Sequence, residues 1–581
     1  MKFGFIHNDN STLSRAFADY FDSLKFTANA TGDIDRQITE FIENKIALSG
    51  VSALFIKVAL SPNYLEFLGL RLALHIRFSN KFPEIQTLPI ILVSEESYEQ
   101  LDRMVTFPGF LSSSGLYLSN ENIDQVRKFI SLLEKGSLKS CESVQELARK
   151  INIEPPASYQ SHHSIANEWS ILRWSELLNV DSRVQPLMTI RENIQSLLFY
   201  KFLEVKYPTL EISLEQSFVM QGEGKILYID DKWNKGWSTI LDKFFSNTPQ
   251  INFRTYPFTF KDKNESEIVA ACETEIKKEN PDIVLLDLRL SDLDFSLEVD
   301  AKELAGYKVL KVIKALNPGI QVIIFSASNK VWNLLETQNA KADGFVLKES
   351  PEFLIAGYDS KESLNSLSQQ VSGCLSRVYL KEIWILVVQI NKVCNKNLLS
   401  TKYFAKEIKS QTNAIKYKQL LTDELEAMFE ILNTTNKNRF NIAMLMLYKC
   451  VEYMNEIFFI QEKRAVAAKL YDGSIIGFYD IKVKIWRKKD ETIQIYDTGR
   501  KTTVPKKIPL DSLNSTLNKS INLAKKLTVA NDNNLENLIE LSECRNKYIH
   551  SDKNKRAQLR NITSNDILNW LGVITNLIKA W

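Results

Sequence analysis

Four short apolar runs near the middle of the chain, each closing on a polar residue, restrict its fold more than any other feature. KILYIDD ends in Asp230 and Asp231, and PDIVLLDLRLSD carries Asp287. QVIIFSASN contains Ser326, and ADGFVLKES reaches Lys348. Runs rich in Ile, Val, Leu and Phe, separated by helix-length segments, read as strands of a parallel sheet covered on both faces. In such sheets functional groups gather beyond the carboxyl ends of the strands. Every polar residue named here stands at one of those ends.

The residue types dictate a chemistry. Three clustered carboxylates repel one another unless a hard cation sits among them, and oxygen ligands of this kind suit Mg2+. Asp287 could then accept a phosphoryl group, because positioning and charge neutralisation supply most of that catalysis. Over about residues 224–355 the pattern resembles the receiver domain of two-component response regulators. The resemblance implies that Asp230 and Asp231 hold Mg2+, that the Arg289 backbone carbonyl completes the protein ligands, and that Asp287 is phosphorylated. It also implies that Ser326 and Lys348 contact the phosphate, and that Phe345 is the aromatic switch residue. The sequence departs from the family at two places. An insertion, SDLDFSLEVDAKELAG, follows the Asp287 strand, and Lys348 is followed by Glu-Ser-Pro where the family has proline directly.

The first 120 residues repeat the pattern in worn form: MKFGFIHND, VSALFIKVALS, LPIILVSEES and SGLYLS. Superposed by type, His7 and Asn8 replace the acid pair, Lys57 replaces the acceptor, and Ser119 replaces the lysine. Ser94 alone keeps its type. A site without carboxylates cannot hold Mg2+, so residues 1–125 read as a degenerate pseudo-receiver. FLGLRLALHIRF reads as its surface helix, with His75 packed within it. Residues 126–221 read as a helical connector, in which Trp169, Leu172, Trp174 and Leu177 dock onto a neighbour. The adjacent His162 and His163 diverge on a helix and make poor metal ligands.

At 581 residues the chain calls for three to four domains. Apolar content of 44% and charged content of 25% are ordinary for soluble protein. The chain has no eighteen-residue apolar run and no basic-then-apolar amino terminus, which argues against membrane insertion and secretion. Six cysteines without CxxC spacing read as free thiols in a reducing, cytoplasmic setting. The net charge of +3 implies nothing globally.

The receiver is expected over 222–355 and a helical linker over 356–420. LNSLSQQVSGCLSRVYLKEIWILVVQINKV is apolar on one face, long enough for a dimer-forming helix or an ordinary buried one. From Tyr471 to about Ile508, FYDIKVKIW and TIQIYDTG alternate like two strands joined by a polar turn. Near the end, ELSECRNKYIHSDKNKRAQLR contains Arg545, Asn546 and His550. With NRFNIAMLMLYKCVE upstream, residues 421–581 resemble the HEPN ribonucleases, including CRISPR-associated and toxin ones. Arg439, Phe440, Ala443, Tyr448 and Glu452 match that family's first helix, and Arg545, Asn546 and His550 match its catalytic motif. Residues five apart lie about 140° apart on a helix, so Arg545 and His550 cannot share one small site without distortion, whereas Asn546 and His550 can. A two-fold dimer could join two such motifs. Lys547, Lys553, Lys555, Arg556 and Arg560 read as a basic patch for a polyanion.

The expected fold class is therefore multidomain α/β plus all-α: two flavodoxin-like doubly wound units and a helical HEPN domain with a small β insertion. The expected function is a phosphorylation-regulated, metal-independent endoribonuclease, a stress or phage-defence effector. Its partners would be a histidine kinase or other phosphodonor, RNA and a second copy of the chain. Mg2+ belongs to the receiver site and no cofactor to the ribonuclease site. The alternative is a response regulator whose helical end is an inert dimerisation or partner-binding module.

Overall fold

The computed structural model describes residues 2–8, 12–29, 33–61, 67–104, 107, 109–155, 162–181, 183–208, 218, 220–295, 300–327, 337–338, 340–349, 360–397, 408–460, 467–470, 475–477, 486–487, 493–494, 516–517, 520, 524, 532–550 and 560–580. The first sheet comprises β1 (Phe3–His7), β2 (Phe21–Lys25), β3 (Leu54–Lys57), β4 (Ile90–Ser94) and β5 (Leu116–Asn120). All five are parallel, in the order β2-β1-β3-β4-β5. Helices α1 (Ile34–Phe41), α2 (Leu68–Arg77) and α3 (Ile123–Glu134) cover it. The helix α3 packs Val126, Ile130 and Leu133 onto this sheet, so the unit extends past the limit of 125 set from sequence.

The helix α2 is not a surface helix. Of its ten residues only Arg71 is not buried. Its polar side chains are consumed by partners distant in sequence. Asp35 on α1 takes Arg71 Nε at 2.5 Å and His75 Nε2 at 2.9 Å. The connector follows as α4 (His162–Leu177), α5 (Leu187–Ser196) and α6 (Leu198–Lys206). Asp35 also accepts the Leu198 N–H at 3.0 Å, and Lys201 Nζ donates to Thr39 Oγ1 at 2.9 Å and to His75 Nδ1 at 3.3 Å. Because Lys201 donates to Nδ1, the imidazole proton sits on Nε2 and points at Asp35.

The second sheet comprises β6 (Gly224–Ile229), β7 (Ile251–Thr255), β8 (Ile283–Leu286), β9 (Gln321–Ser326) and β10 (Gly344–Leu347), again all parallel. Its order, β7-β6-β8-β9-β10, repeats that of the first sheet. Every residue of β8 and β9 is buried, as a strand covered on both faces requires. The covering helices are α7 (Trp237–Phe245), α8 (Glu265–Glu279), α9 (Ala305–Leu316) and α10 (Ser360–Leu375). A capping box starts α8: Asn264 accepts the Glu267 N–H while Glu267 accepts the Asn264 N–H. It stops at Asn280, which takes the left-handed conformation at φ 46°.

One apolar core runs from the first sheet through the connector into the second. Trp169 and Trp174 are fully buried, and Trp174 meets Trp237 edge-on at 5.2 Å and Phe325 at 5.7 Å. Each such ring contributes about 2–3 kcal/mol by burial. The docking role read for Trp169 and Trp174 is what the packing shows.

The long apolar stretch after Pro351 is two helices. The first, α10, ends at Leu375 and belongs to the second sheet, with Ser363 Oγ donating to Leu347 O at 2.5 Å. The second, α11 (Tyr379–Asn397), belongs to a separate helical core with α12 (Ile408–Leu432), α13 (Arg439–Phe458), α14 (Asp532–His550) and α15 (Ser564–Ala580). Ile383, Val387 and Ile390 face that core, which leaves Ile385 and Val388 as the exposed apolar residues of α11. Of the expected β excursion, the described residues show Ile475–Gly477 paired antiparallel with Ala467–Leu470, and Trp486–Arg487 paired antiparallel with Ile493–Gln494; the rest of it lies outside the described residues. Among the described residues, no helix is long and apolar enough to cross a membrane. All six cysteines are free, five of them buried.

Candidate phosphoacceptor site

The register of the second sheet places the four polar strand ends side by side. Ile229 pairs with Leu286, Leu286 with Ile324, and Leu347 with Ser326. Asp230, Asp287, Ser326 and Lys348 therefore meet at the carboxyl edge, beyond the point where β6 separates its two neighbours. Carboxylate oxygens of Asp230, Asp231 and Asp287 lie within 4.8 Å of one another. Lys348 Nζ bonds Asp230 Oδ2 at 2.8 Å and lies 3.4 Å from Asp287 Oδ2. Arg289, two residues past Asp287, is buried, and its N–H lies 3.5 Å from Asp287 Oδ1. Ser326 is buried at the end of β9, and Phe345 is half-buried on β10, paired with Ile324.

The electrostatics separate the three acids. Burial opposes the charge of Asp230, but Lys348, the Tyr228 hydroxyl at 2.7 Å and the Lys232 N–H at 2.6 Å together hold its pKa below the usual value. Burial, and then the charges of Asp230 and Asp287, push Asp231 up to about 7. Burial and the nearby Asp230 push Asp287 up to about 6, against the pull of Lys348. A cluster whose carboxylates resist shared ionisation fits a divalent cation, which would replace protons as the balancing charge. Asp230, Asp231 and Asp287 are the residues that would hold it, and it would neutralise charge on an incoming phosphoryl group.

Several residues of the site were not legible from the strand-end pattern. Trp237 and Phe325 present their ring faces to Lys348 Nζ at 5.0 and 4.9 Å, a cation–π box around the ammonium. In the insertion, Asp294 accepts the N–H groups of Leu290 and Ser291 at 2.9 Å and of Ala305 at 3.2 Å, tying the loop back to the start of α9. Gly306 lies on the backbone of the acceptor strand, since a Cβ there would stand 2.2 Å from Asp287 O.

The first sheet builds the same edge with opposite charge. Ile6 pairs with Ile56, and Lys57 pairs with Val93, so His7 and Lys57 occupy the places of Asp230 and Asp287. The assignment of Ser119 is corrected by the register. The Lys348 N–H bonds Ser326 O, and the equivalent bond to Ser94 O comes from Glu121. Glu121 therefore stands where Lys348 stands, and it forms an ion pair with Lys57 at 3.1 Å. Gly69 repeats Gly306, because its Cβ would stand 2.1 Å from Lys57 O. His7 Nε2 lies 2.7 Å from Ser23 Oγ. A lysine at the acceptor position and a glutamate facing it cannot bind Mg2+ or take a phosphoryl group.

Residues 14–118 match the family model of the inactive receiver domain. Among solved structures, the chain is similar to a two-component response regulator of the LuxR family from Aurantimonas sp. SI85-9A1, at 18% identity over 26% of this chain and 98% of that one, with a TM-score of 0.17. It is also similar to NtrX from Brucella abortus in complex with ADP, at 19% identity over 30% of this chain and 34% of that one, with a TM-score of 0.16. None of the curated proteins matches the chain. The receiver-like fold thus rests on the inactive receiver match and on the two five-stranded sheets themselves.

In the helical unit, α13 and α14 bring the two segments read as one motif together. The Arg545 guanidinium lies over the Tyr448 ring at 4.8 Å and donates to Asn546 Oδ1 at 2.9 Å. Glu452 pairs with Lys449 at 3.0 Å, Arg439 covers Phe440 at 4.7 Å, and Ala443 is core. His550 is the last residue of α14, and its side chain lies outside the described residues, as do Lys553, Lys555 and Arg556. The rest of the basic patch is neutralised: Lys547 pairs with Glu543 at 3.5 Å, and Arg560 pairs with Glu540 at 2.6 Å and with Asp566. A cavity of about 380 Å³ opens beside them, lined by Met444, Cys544 and Tyr548 among others.

Proposed function

We propose that the chain is a response regulator in which Asp287 takes a phosphoryl group and the helical unit from Tyr379 onward is the output. The observation that carries this is the convergence of Asp230, Asp231 and Asp287 within 4.8 Å around a site where Lys348 supplies the positive charge. An Asp287 carboxylate oxygen attacks phosphorus, the donor's bond to phosphorus breaks (P–O in acetyl phosphate, P–N in a phosphohistidine), and the leaving group departs with the electron pair (acetate or the histidine imidazole). Hydrolysis later returns the carboxylate. The natural donor would be a histidine kinase.

For the output we propose a metal-independent endoribonuclease acting as a stress or defence effector, with two copies of the chain sharing a cleft. The RNA 2′-hydroxyl attacks the adjacent phosphorus, the P–O5′ bond breaks, and the ends are a 2′,3′-cyclic phosphate and a 5′-hydroxyl. His550 would move the proton, Arg545 would stabilise phosphate charge, and Asn546 would orient one of them. The stacking of Arg545 on Tyr448 supports this reading, since it joins the two halves of the motif. The ion pairing of Lys547 and Arg560 favours a second reading, an inert module that binds a partner.

Both parts are tested on the full chain. With Mg2+ and acetyl phosphate, intact mass should show one label on the wild type and none on Asp287→Asn, and equal labelling would refute the acceptor. RNA should be cut in EDTA by wild type and not by His550→Ala or Arg545→Ala, while DNA survives. No cleavage from a broad RNA pool, labelled or unlabelled, would favour the inert module.

A further inference from the structure

The residue after Lys348 is where the chain leaves the receiver pattern, and the connector fills the gap. Glu349 is fully buried. Its Oε1 accepts the Trp169 indole N–H at 2.8 Å and lies 3.6 Å from Arg173 Nε. Its backbone carbonyl accepts the Ser170 hydroxyl. Arg173 in turn covers the Trp169 ring at 5.3 Å. Three side chains from one face of α4 therefore grip a single residue of the second unit. A buried carboxylate is tolerated only with partners of this kind, so the backbone at 348–349 is pinned to α4. The same helix reaches the lysine from its other side: Trp237, whose face meets Lys348 Nζ, donates its indole N–H to Asn167 on α4 at 3.1 Å.

We propose that Glu349 is a positioning residue through which α4 sets the Lys348 ammonium, so that phosphorylation of Asp287 and docking of the connector are one coupled equilibrium. This rests on the reading of Asp287 as phosphoacceptor. Lys348 now bonds Asp230 and stands 0.6 Å farther from Asp287, by the difference between 3.4 and 2.8 Å. A phosphoryl group on Asp287 brings new negative charge and draws the ammonium toward it. The lysine can follow only as far as its pinned backbone and the two rings allow. Strain on Lys348 is thereby passed to Glu349 and on to α4, and through α4 to the core shared with the first unit. By reciprocity, loosening the grip of α4 must alter phosphorylation.

The test uses the full chain with Mg2+ and acetyl phosphate in four forms: wild type, Glu349→Gln, Glu349→Ala and Trp169→Phe. Label is followed by intact mass during uptake and after donor removal, and backbone amide exchange across 167–177 is compared with and without label. Glu349→Gln keeps an acceptor for Trp169 and should label within about twofold of wild type. Glu349→Ala and Trp169→Phe should label about fivefold more slowly or worse. In wild type, labelling should change exchange in α4, and the change should vanish in Trp169→Phe, a variant that keeps an aromatic ring at this buried position but loses the N–H donor with the pyrrole half of the indole. A wild type that labels while both disrupted variants match its rate and its α4 exchange would overturn the coupling alone. A wild type that takes no label would overturn the reading of Asp287, and the coupling with it.

Discussion

The two sheets share strand order, register and even the glycine over the acceptor strand, yet one edge is a candidate for chemistry and the other is closed to it. At the second edge, a lysine faces three acids that cannot all ionise comfortably. At the first, Lys57 and Glu121 satisfy one another. The comparison teaches that a parallel sheet fixes where polar residues converge, while the sign of their charges decides whether the place stores tension or relieves it. The first unit then invests its buried charge elsewhere. Asp35, held by Arg71, His75 and the Leu198 N–H, joins the first sheet to the connector.

The contrast can be broken most severely at Asp35. Asp35→Ala leaves His75, Arg71 and Lys201 around a buried gap, and should cost roughly 3–5 kcal/mol in urea unfolding followed by tryptophan fluorescence. A loss under 1 kcal/mol would mean the first unit is not held to the connector by this network.

Acid should produce a related but smaller effect. Burial, together with the charge of Lys201, lowers His75 from its ordinary 6.5 to about 4, although Asp35 pulls the other way. As pH falls, the unfolded chain takes the proton first. Stability is therefore full above about 6.5 and declines toward 4, by up to about 3 kcal/mol. In His75→Gln the slope across this window should flatten, which unfolding midpoints at several pH values would reveal.

At the second edge the expected sign reverses. Asp231→Asn should stabilise the chain by roughly 1–2 kcal/mol, because it removes a carboxylate that burial and its neighbours keep from ionising. The same change should abolish any rise in melting temperature on adding Mg2+. Destabilisation instead would mean the acids are better paired than their geometry implies. The smallest effect belongs to the inverted pair. Lys57→Met or Glu121→Gln should cost about 0.5–1 kcal/mol, shrinking in salt, and the exchanged pair Lys57→Glu with Glu121→Lys should recover most of it.

The second unit was legible because its apolar runs are clean and each ends in a residue of distinct chemistry. The first unit was legible only as a repeat, and one position slipped. Ser119 and Glu121 lie two apart and share a face of the strand, so residue type could not choose between them, and only the bond to Ser94 O does. The helix α2 looked amphipathic because its partners, Asp35 and Lys201, lie 40 and 126 residues from His75. The break between α10 and α11 carries no proline or glycine at Ser376, Arg377 or Val378, so the apolar pattern ran straight through it. Glu349 was visible as a departure, but its reason sits at Trp169 on α4, 180 residues away.

The helix α10 carries a consequence of its own. It starts beside the carboxyl edge, at Ser363 on Leu347, and ends at Leu375 against Gly222 and Gly224 on the opposite edge. There Lys381 of α11 bonds Asn280 O at 3.1 Å, and its backbone carbonyl accepts from Asn317. Sixteen residues of helix span about 24 Å. The acidic site and the helical unit thus hang from opposite ends of one stiff rod, and a pivot of roughly 5° at one end sweeps the other by about 2 Å. Such a lever trades force for reach, so a sub-ångström change at the acidic site would be enlarged at the far end of α10, where the helical bundle begins.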